Sequence, residues 1–547
     1  MYGRTRRRLA ATQGTHGKDS TAVTSTATGA QPVSPAYVVS DRFRGGPVGM
    51  GARIGGAAVS GALVALAFPP YDVWPLAPVG VAMITLLCRG ARVRETAVLG
   101  LVHGLATFLP LLSWMTVIGP DAWVMLSLLE ASFLALMCAL LPSVLRAPGW
   151  PVWVACLWVA QEAARGRLPF GGLPWGRLAF AETAAPFAPY AAVGGAPLVT
   201  FVTALAGTLL AAGVLQLRSA RRSAAVLLLA AVAVPTAGVL LPTGGAGEGR
   251  GVTVALVQGG VPGSGMDFEG EREQVLRNHV TATRRLAADV RSGQVAAPDL
   301  VIWPENASDI DPFTDAAARR LIDGAVRNIG VPVLVGAVLD GPGPDYVSNS
   351  GIVWDPETGP GDRYVKRHPV PFGEYIPFRD QLSGIVERLD QIPRDFFAGS
   401  EPGNLTVGPA EVGDVICFEV AYDGLVRDVV AGGADVLVVQ TNNATYNGTG
   451  QPQQQMAMSR LRAVEHGRSV LVAATSGISA VVDPDGAVVE RAPEGTARNL
   501  VADVALHDGT TIADRLGGGP EWFLAALGVV AAALGARRRR TSQEPPS

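Results

Sequence analysis

Apolar residues crowd the first half of the chain in long runs with few charges. From about Gly251 to Asp508 they give way to short β-branched stretches separated by amphipathic ones. Crossing a hydrocarbon core of roughly 30 Å takes about 20 helical residues. Runs of that length, or nearly so, occupy residues 54–68, 74–88, 98–118, 123–145, 150–164, 193–217 and 224–241, and an eighth, 522–536, follows the mixed region. The first, second, fifth and eighth are short, so a dry core helix is the alternative for each.

In the mixed region, strand-like runs fall at 252–258, 300–304, 331–339, 350–354, 414–418, 436–440 and 469–474. Helical patterns lie between several of them, at 271–290, 316–329 and 453–466, and Asp483-Pro484-Asp485-Gly486 has the composition of a hairpin turn. Strands alternating with helices predict an α/β layered domain, whose reactive residues usually sit at strand ends. The predicted organisation is a disordered cytoplasmic tail (1–50), a seven-span α-helical membrane domain (51–245), an α/β domain (246–510), and an eighth transmembrane helix with a basic tail (511–547).

Composition agrees with this division. At 547 residues, 48% hydrophobic and 17% charged, with a mean hydropathy of +0.28, the chain is too long for one domain and too apolar for an ordinary soluble enzyme. A net charge of -3 supplies no basic field, so nucleic acid is not an expected partner, and four cysteines exclude a disulfide scaffold. Lys and Arg flanking a span are held in the cytoplasm during insertion. Counting from an inner N-terminus places Arg42, Arg44 and Arg53, then Arg89, Arg92 and Arg94, then Arg146, then Arg218, Arg221 and Arg222, and finally Arg537 to Arg540 inside. Only one outer loop, with Arg165, Arg167 and Arg177, carries comparable charge. Eight spans leave the α/β domain outside. No cleaved signal peptide is expected, because the basic residues near the start are separated from the first apolar run by a long polar stretch.

Three residues stand apart. Cys88, Cys138 and Cys156 fall in or at the end of apolar runs, which leaves Cys417 as the only thiol of the α/β region, at a predicted strand end. A small buried hydrophobe is one reading and a nucleophile the other. Lys366 is one of two lysines, with Lys18, against 42 arginines. Its retention suggests a place where a compact point charge is wanted and a planar guanidinium would not serve, chance survival on the surface being the alternative. Glu305 ends the apolar strand in Trp303-Pro304-Glu305, where the proline turns the chain out of the sheet; a solvated turn is the plainer reading. Glu374 and Glu419 are further carboxylates that could orient Lys366 or the substrate. Together a thiol, an amine and a carboxylate suit acyl transfer. Glu305 would act as general base, Cys417 would form a thioester, and Lys366 would stabilise the oxyanion. Scattered His279, His368 and His466 lack the spacing of a zinc site, and no nucleotide-type glycine loop is present, so neither metal nor cofactor is expected. Within the spans, His103 and Glu130 are ionisable; interhelical hydrogen bonds are preferred to a functional role for them.

Trp303-Pro304-Glu305, Lys366 followed by Pro371-Phe372-Gly373-Glu374, and Ile416-Cys417-Phe418-Glu419 resemble the Glu, Lys, Cys triad of the nitrilase superfamily, whose fold is an αββα sandwich. Residues 440–444 and 460–468 resemble it too. An outward-facing nitrilase domain inserted between a seventh and an eighth span is similar to the apolipoprotein N-acyltransferases. That resemblance implies transfer of a fatty acyl chain from a membrane phospholipid, through a thioester on Cys417, to the α-amino group of a diacylglyceryl-cysteine at the start of an apolipoprotein. It also implies that residues 168–180 line lipid access and that Trp175, Asn443 and Tyr446 contact substrate. Two features depart from the family pattern. No Asn follows Gln258-Gly259, and Thr445 stands where many members carry Trp. The rival readings are a membrane-tethered amidase that passes its acyl-enzyme to water, and a noncatalytic lipoprotein-binding protein on the same fold.

Overall fold

A computed structural model describes residues 49–247, 249–262, 272–382 and 393–541. The expected tail lies outside the described residues, apart from its last two. All eight apolar runs are helical. Seven come first: α1 (Met50–Ala67), α2 (Leu76–Cys88), α3 (Val93–Leu111), α4 (Pro120–Val144), α5 (Trp150–Arg165), α6 (Ala191–Gln216) and α7 (Arg221–Gly238). By length and composition, α1, α4, α6, α7 and the helix of the eighth run can cross a membrane; α2 is apolar but shorter. The third run was expected to continue to residue 118. Its helix stops at Leu111, after Pro110 in the last turn, and a 3-10 turn, Ser113–Val117, takes over. Small residues let these helices meet closely, as membrane helices require. A Cβ on Gly61 of α1 would stand 2.1 Å from the carbonyl oxygen of His103 in α3. Beside that crossing, Ser60 Oγ and His103 Nδ1 are 3.0 Å apart, the interhelical bond expected of this histidine.

The α/β part runs β1 (Gly249–Gln258), α8 (Arg272–Arg291), β2 (Leu300–Ile302), α9 (Ala316–Ile329), β3 (Val333–Asp340), β4 (Tyr346–Asp355), β5 (Gly359–Val365), α10 (Arg379–Leu382), β6 (Asp395–Phe396), β7 (Asn404–Val407), β8 (Ala410–Ile416), α11 (Asp423–Ala431), β9 (Val436–Thr441), α12 (Gln451–His466), β10 (Val470–Ala474), β11 (Ala480–Val482), β12 (Val488–Arg491) and β13 (Arg498–His507). A short α13 (Ile512–Leu516) leads into α14 (Gly519–Thr541), which packs on α5. One sheet has the order β13-β1-β2-β3-β4-β5 with β6 beside β4, and the other β12-β11-β10-β9-β8-β7.

Period-two alternation sorts the side chains into layers. In β1, Ala255 and Val257 join Leu276, Val280 and Ile322 of α8 and α9 in one core, while Val254 and Leu256 face the second sheet. Helices α11 and α12 cover the far side of that sheet, and α12 also packs on α6. The result is an αββα sandwich seated on the helices. As expected, Asp483 to Gly486 turn a hairpin: Gly486 N–H donates to Asp483 O at 2.8 Å and joins antiparallel β11 and β12.

Candidate active site

Strand β8 was expected to reach residue 418 but ends at Ile416, and Cys417 opens a 3-10 turn, Cys417–Ala421. Its φ of +57° lies in the left-handed region, which costs a non-glycine residue about 1–2 kcal/mol. That conformation is held by Glu419. Its carboxylate accepts from Ile416 N–H at 2.7 Å, from the Tyr364 hydroxyl at 2.9 Å, and from the backbone N–H groups of Arg367 at 2.7 Å and His368 at 3.0 Å. Glu419 was considered as a group that orients the lysine ammonium or substrate. Fully buried, it binds backbone instead, stapling the cysteine turn to the chain that follows Lys366.

The proline of Trp303-Pro304-Glu305 carries Glu305 off the end of β2. Strand β3 crosses this turn so tightly that a Cβ on Gly336 would stand 2.1 Å from Pro304 O. Lys366 follows β5 directly and is 1% exposed, which rules out the chance surface lysine. Its ammonium donates to Glu305 Oε1 at 3.1 Å and Glu374 Oε1 at 2.7 Å. Two groups not singled out in the sequence complete the setting: Asn349 Nδ2 donates to Glu305 Oε1 at 2.6 Å, and Asn442 N–H to Glu305 Oε2 at 2.7 Å. Glu374 is itself fixed by Val370 N–H at 2.7 Å.

These charges act on one another. Burial opposes the charge of Lys366, but the carboxylates of Glu305 and Glu374 outweigh it and hold the amine protonated well above the usual lysine range. Burial pushes the Cys417 thiol up, the charge of Glu305 adds to this, and Lys366 pulls the other way; the net shift is strongly upward. At rest the sulfur is therefore a thiol and needs a base to become a nucleophile. An ammonium has three N–H donors. Two of those on Lys366 meet carboxylates, which leaves one for an oxyanion.

Trp175, from the loop after α5, and Tyr446, from the turn after β9, belong to an aromatic group with Trp114 and Phe418, the neighbour of Cys417. Ring centroids are 4.7 Å apart for Trp175 and Phe418, and 5.1 Å for Trp114 and Tyr446. Gln454 of α12 ties this group to the helix ends. Its Oε1 accepts from the indoles of Trp114 at 3.2 Å and Trp175 at 2.7 Å, and its Nε2 donates to Pro69 O at 3.3 Å and Leu111 O at 3.0 Å. Asn443 is differently placed: buried, it donates to Gln451 and Gln455 at 2.9 and 2.8 Å. Its amide N–H groups are thus taken up inside the protein rather than offered to a ligand. Among the described residues, no cluster of three or more His, Cys, Asp or Glu could hold a metal ion.

The description "Apolipoprotein N-acyltransferase N-terminal domain" belongs to a family model that matches residues 60–209, and "Carbon-nitrogen hydrolase" to one that matches 253–514. An apolipoprotein N-acyltransferase of Mycolicibacterium smegmatis is 39% identical over 80% of this chain and 77% of its own length. This chain belongs to the apolipoprotein N-acyltransferase family. A second apolipoprotein N-acyltransferase, from Azotobacter vinelandii, is 30% identical over 90% of this chain and 96% of its own. Among solved structures, an amidase from Nesterenkonia sp. AN1 is 22% identical, with a TM-score of 0.35 over 48% of this chain and 92% of its own.

In this N-acyltransferase the loop after α5, the arginine-rich exception among the expected outer loops, is neutralised by ion pairs. Arg165 meets Glu130 at 2.7 Å, Arg167 meets Glu521 at 2.5 Å, and Arg177 meets Asp423 at 2.7 Å. Arg462 extends the seam into α12, pairing with Asp423 at 2.6 Å and also with Glu465.

Proposed function

We propose that this apolipoprotein N-acyltransferase moves a fatty acyl chain from a membrane phospholipid to the α-amino group of a diacylglyceryl-cysteine, in two steps on Cys417. Glu305 takes the thiol proton as Sγ attacks the ester carbonyl, and the third N–H of Lys366 meets the oxyanion. The lysophospholipid alkoxide departs with the proton returned by Glu305, leaving a thioester. The acceptor amine then attacks the thioester and yields its proton to Glu305. On collapse the amide forms, and Cys417 recovers its proton from Glu305. The carrying observation is the buried Lys366–Glu305–Glu374 cluster beside a cysteine held at a strand end.

The domain boundaries and the outward orientation belong to the same proposal. The arginines of the other loops and termini together outnumber Arg165, Arg167 and Arg177, which in the fold are paired with Glu130, Glu521 and Asp423, and that count supports an outer position for their loop. Phe170 of that loop meets Phe372 and Phe378 of the α/β domain at 6.1 and 5.7 Å, and all three rings are exposed. Such an apolar rim supports lateral access from the lipid, since releasing an acyl chain into water costs about 0.8 kcal/mol per CH₂.

Incubation of the purified protein with labelled phospholipid, followed by mass measurement, tests the mechanism. A single acyl chain on Cys417 is expected, passing to a diacylated lipopeptide when one is added. Free fatty acid with no N-acylated peptide would favour the hydrolase instead, and activity surviving in Cys417→Ala would sink the nucleophile assignment. A reporter fused near Leu405 is expected to give an extracytoplasmic signal.

A further inference from the structure

We propose that Thr441 is a further catalytic residue, whose hydroxyl is aimed by a buried amide relay to donate its only proton to Cys417 Sγ and stabilise the thiolate. The inference rests on the reading of Cys417 as nucleophile. Its origin is register. Parallel pairing of β8 and β9 sets Ile416 opposite Gln440, so Cys417 and Thr441 stand next to one another as the chain leaves the strand ends. Thr441 Oγ1 lies 3.3 Å from Sγ and is buried.

Counting donors and acceptors fixes where the proton points. A hydroxyl has one proton and two acceptor positions, and an amide oxygen accepts two bonds. Gln455 Nε2 donates to Thr441 Oγ1 at 3.1 Å, so the oxygen is already an acceptor. The other acceptor within reach is Gln455 Oε1 at 3.4 Å, but it already takes Asn443 Nδ2 at 2.8 Å and Gln451 Nε2 at 3.0 Å. With both of its positions filled, the sulfur is what remains for the threonine proton. Asn443 Nδ2 also lies 2.9 Å from Gln451 Oε1, which locks the relay to the first turn of α12.

Such a donor favours the charged sulfur over the neutral one, because bonds to ionised acceptors are roughly twice as strong. Thr441 accordingly pulls the thiol down against burial and Glu305. It would act twice per cycle, once when the thiolate attacks and again when it leaves the tetrahedral adduct formed by the amine.

The test is alkylation of Cys417 by iodoacetamide across pH, in the full-length protein in detergent. Thr441→Val keeps the shape and removes the donor. Loss of a bond to a charged group predicts alkylation roughly tenfold slower at pH 8 and a profile displaced upward by about one unit. Thr441→Ser is expected to restore both to within about threefold. A Thr441→Val profile that superimposes on wild type, or equal slowing in the Ser and Val variants, would overturn the proposal. Where Val prevents folding, Thr441→Ala makes the same comparison. This readout needs only a thiol. Absence of an acylated Cys417 from wild-type enzyme given phospholipid would count against the nucleophile reading and leave the alkylation result to judge the donor.

Discussion

Buried charge is used in two different ways in this molecule. Along the seam between helices and sandwich, Arg177 lies among Asp423, Glu162 and Glu521, and Arg462 bridges Asp423 and Glu465. Guanidinium forks with several carboxylates each make a rigid lattice, and burial is tolerated because every charge has partners. At the strand ends the cation is Lys366, two carboxylates face it, one N–H is left over, and a neutral thiol stands close by. The first arrangement is closed and holds two halves together. The second is left one bond short, and in the proposed mechanism that vacancy takes up the developing negative charge.

Substitutions can separate the two roles. The largest effect is expected from Arg177→Met, which strands several acids in the seam: about 3–5 kcal/mol of stability lost, read as a fall in the thermal midpoint, with turnover per folded molecule much less affected. If turnover per titrated Cys417 fell more than folded yield, the seam would be more than a scaffold. Lys366→Arg keeps the charge and changes its shape. Turnover should fall by roughly 10²–10³, as when one oxyanion donor is removed, with little change in midpoint; wild-type turnover would mean that charge alone suffices. The smallest effect is expected at the exposed Arg277–Glu273 pair on α8, where Glu273→Ala should lower stability by no more than about 0.3–0.5 kcal/mol, read as a barely changed midpoint.

Much of this architecture can be read from residue patterns. Eight apolar runs became eight helices, and seven β-branched runs became strands, because burial on both faces leaves a strong hydrophobic signature. Strands β5, β6, β7 and β13 and helices α10, α11 and α13 were not anticipated, and β11 and β12 were signalled only by the turn that joins them. They are short, lie toward sheet edges, or, like β13, alternate buried positions with Arg498, Asn499 and Asp503, so the hydrophobic signal is diluted. At the site, Glu305, Lys366 and Cys417 were legible because each breaks a local expectation: a proline after a strand, a lysine in an arginine-rich chain, an isolated thiol. Asn349 was not, and Thr441 and Asn442 stood out only as part of the resembling stretch 440–444 with no role of their own, since their value comes from strand register and ordinary polar residues do not announce it. The way Glu419 acts was hidden for a related reason. Its neighbour Cys417 suggested chemistry, whereas its four kinds of donor are mostly backbone groups that only the folded turn brings together.

The hydrogen bonds of Gln454 have a practical consequence for anyone wishing to dissect this protein. Two indole donors and two helix-end carbonyls use its whole bonding capacity, and three of those four partners lie before residue 115. Excising the sandwich as a water-soluble fragment would strip the amide of all four and leave Phe418, next to Cys417, without the tryptophans that brace it. The enzyme has to be handled whole, in detergent or lipid, if its chemistry is to be measured at all.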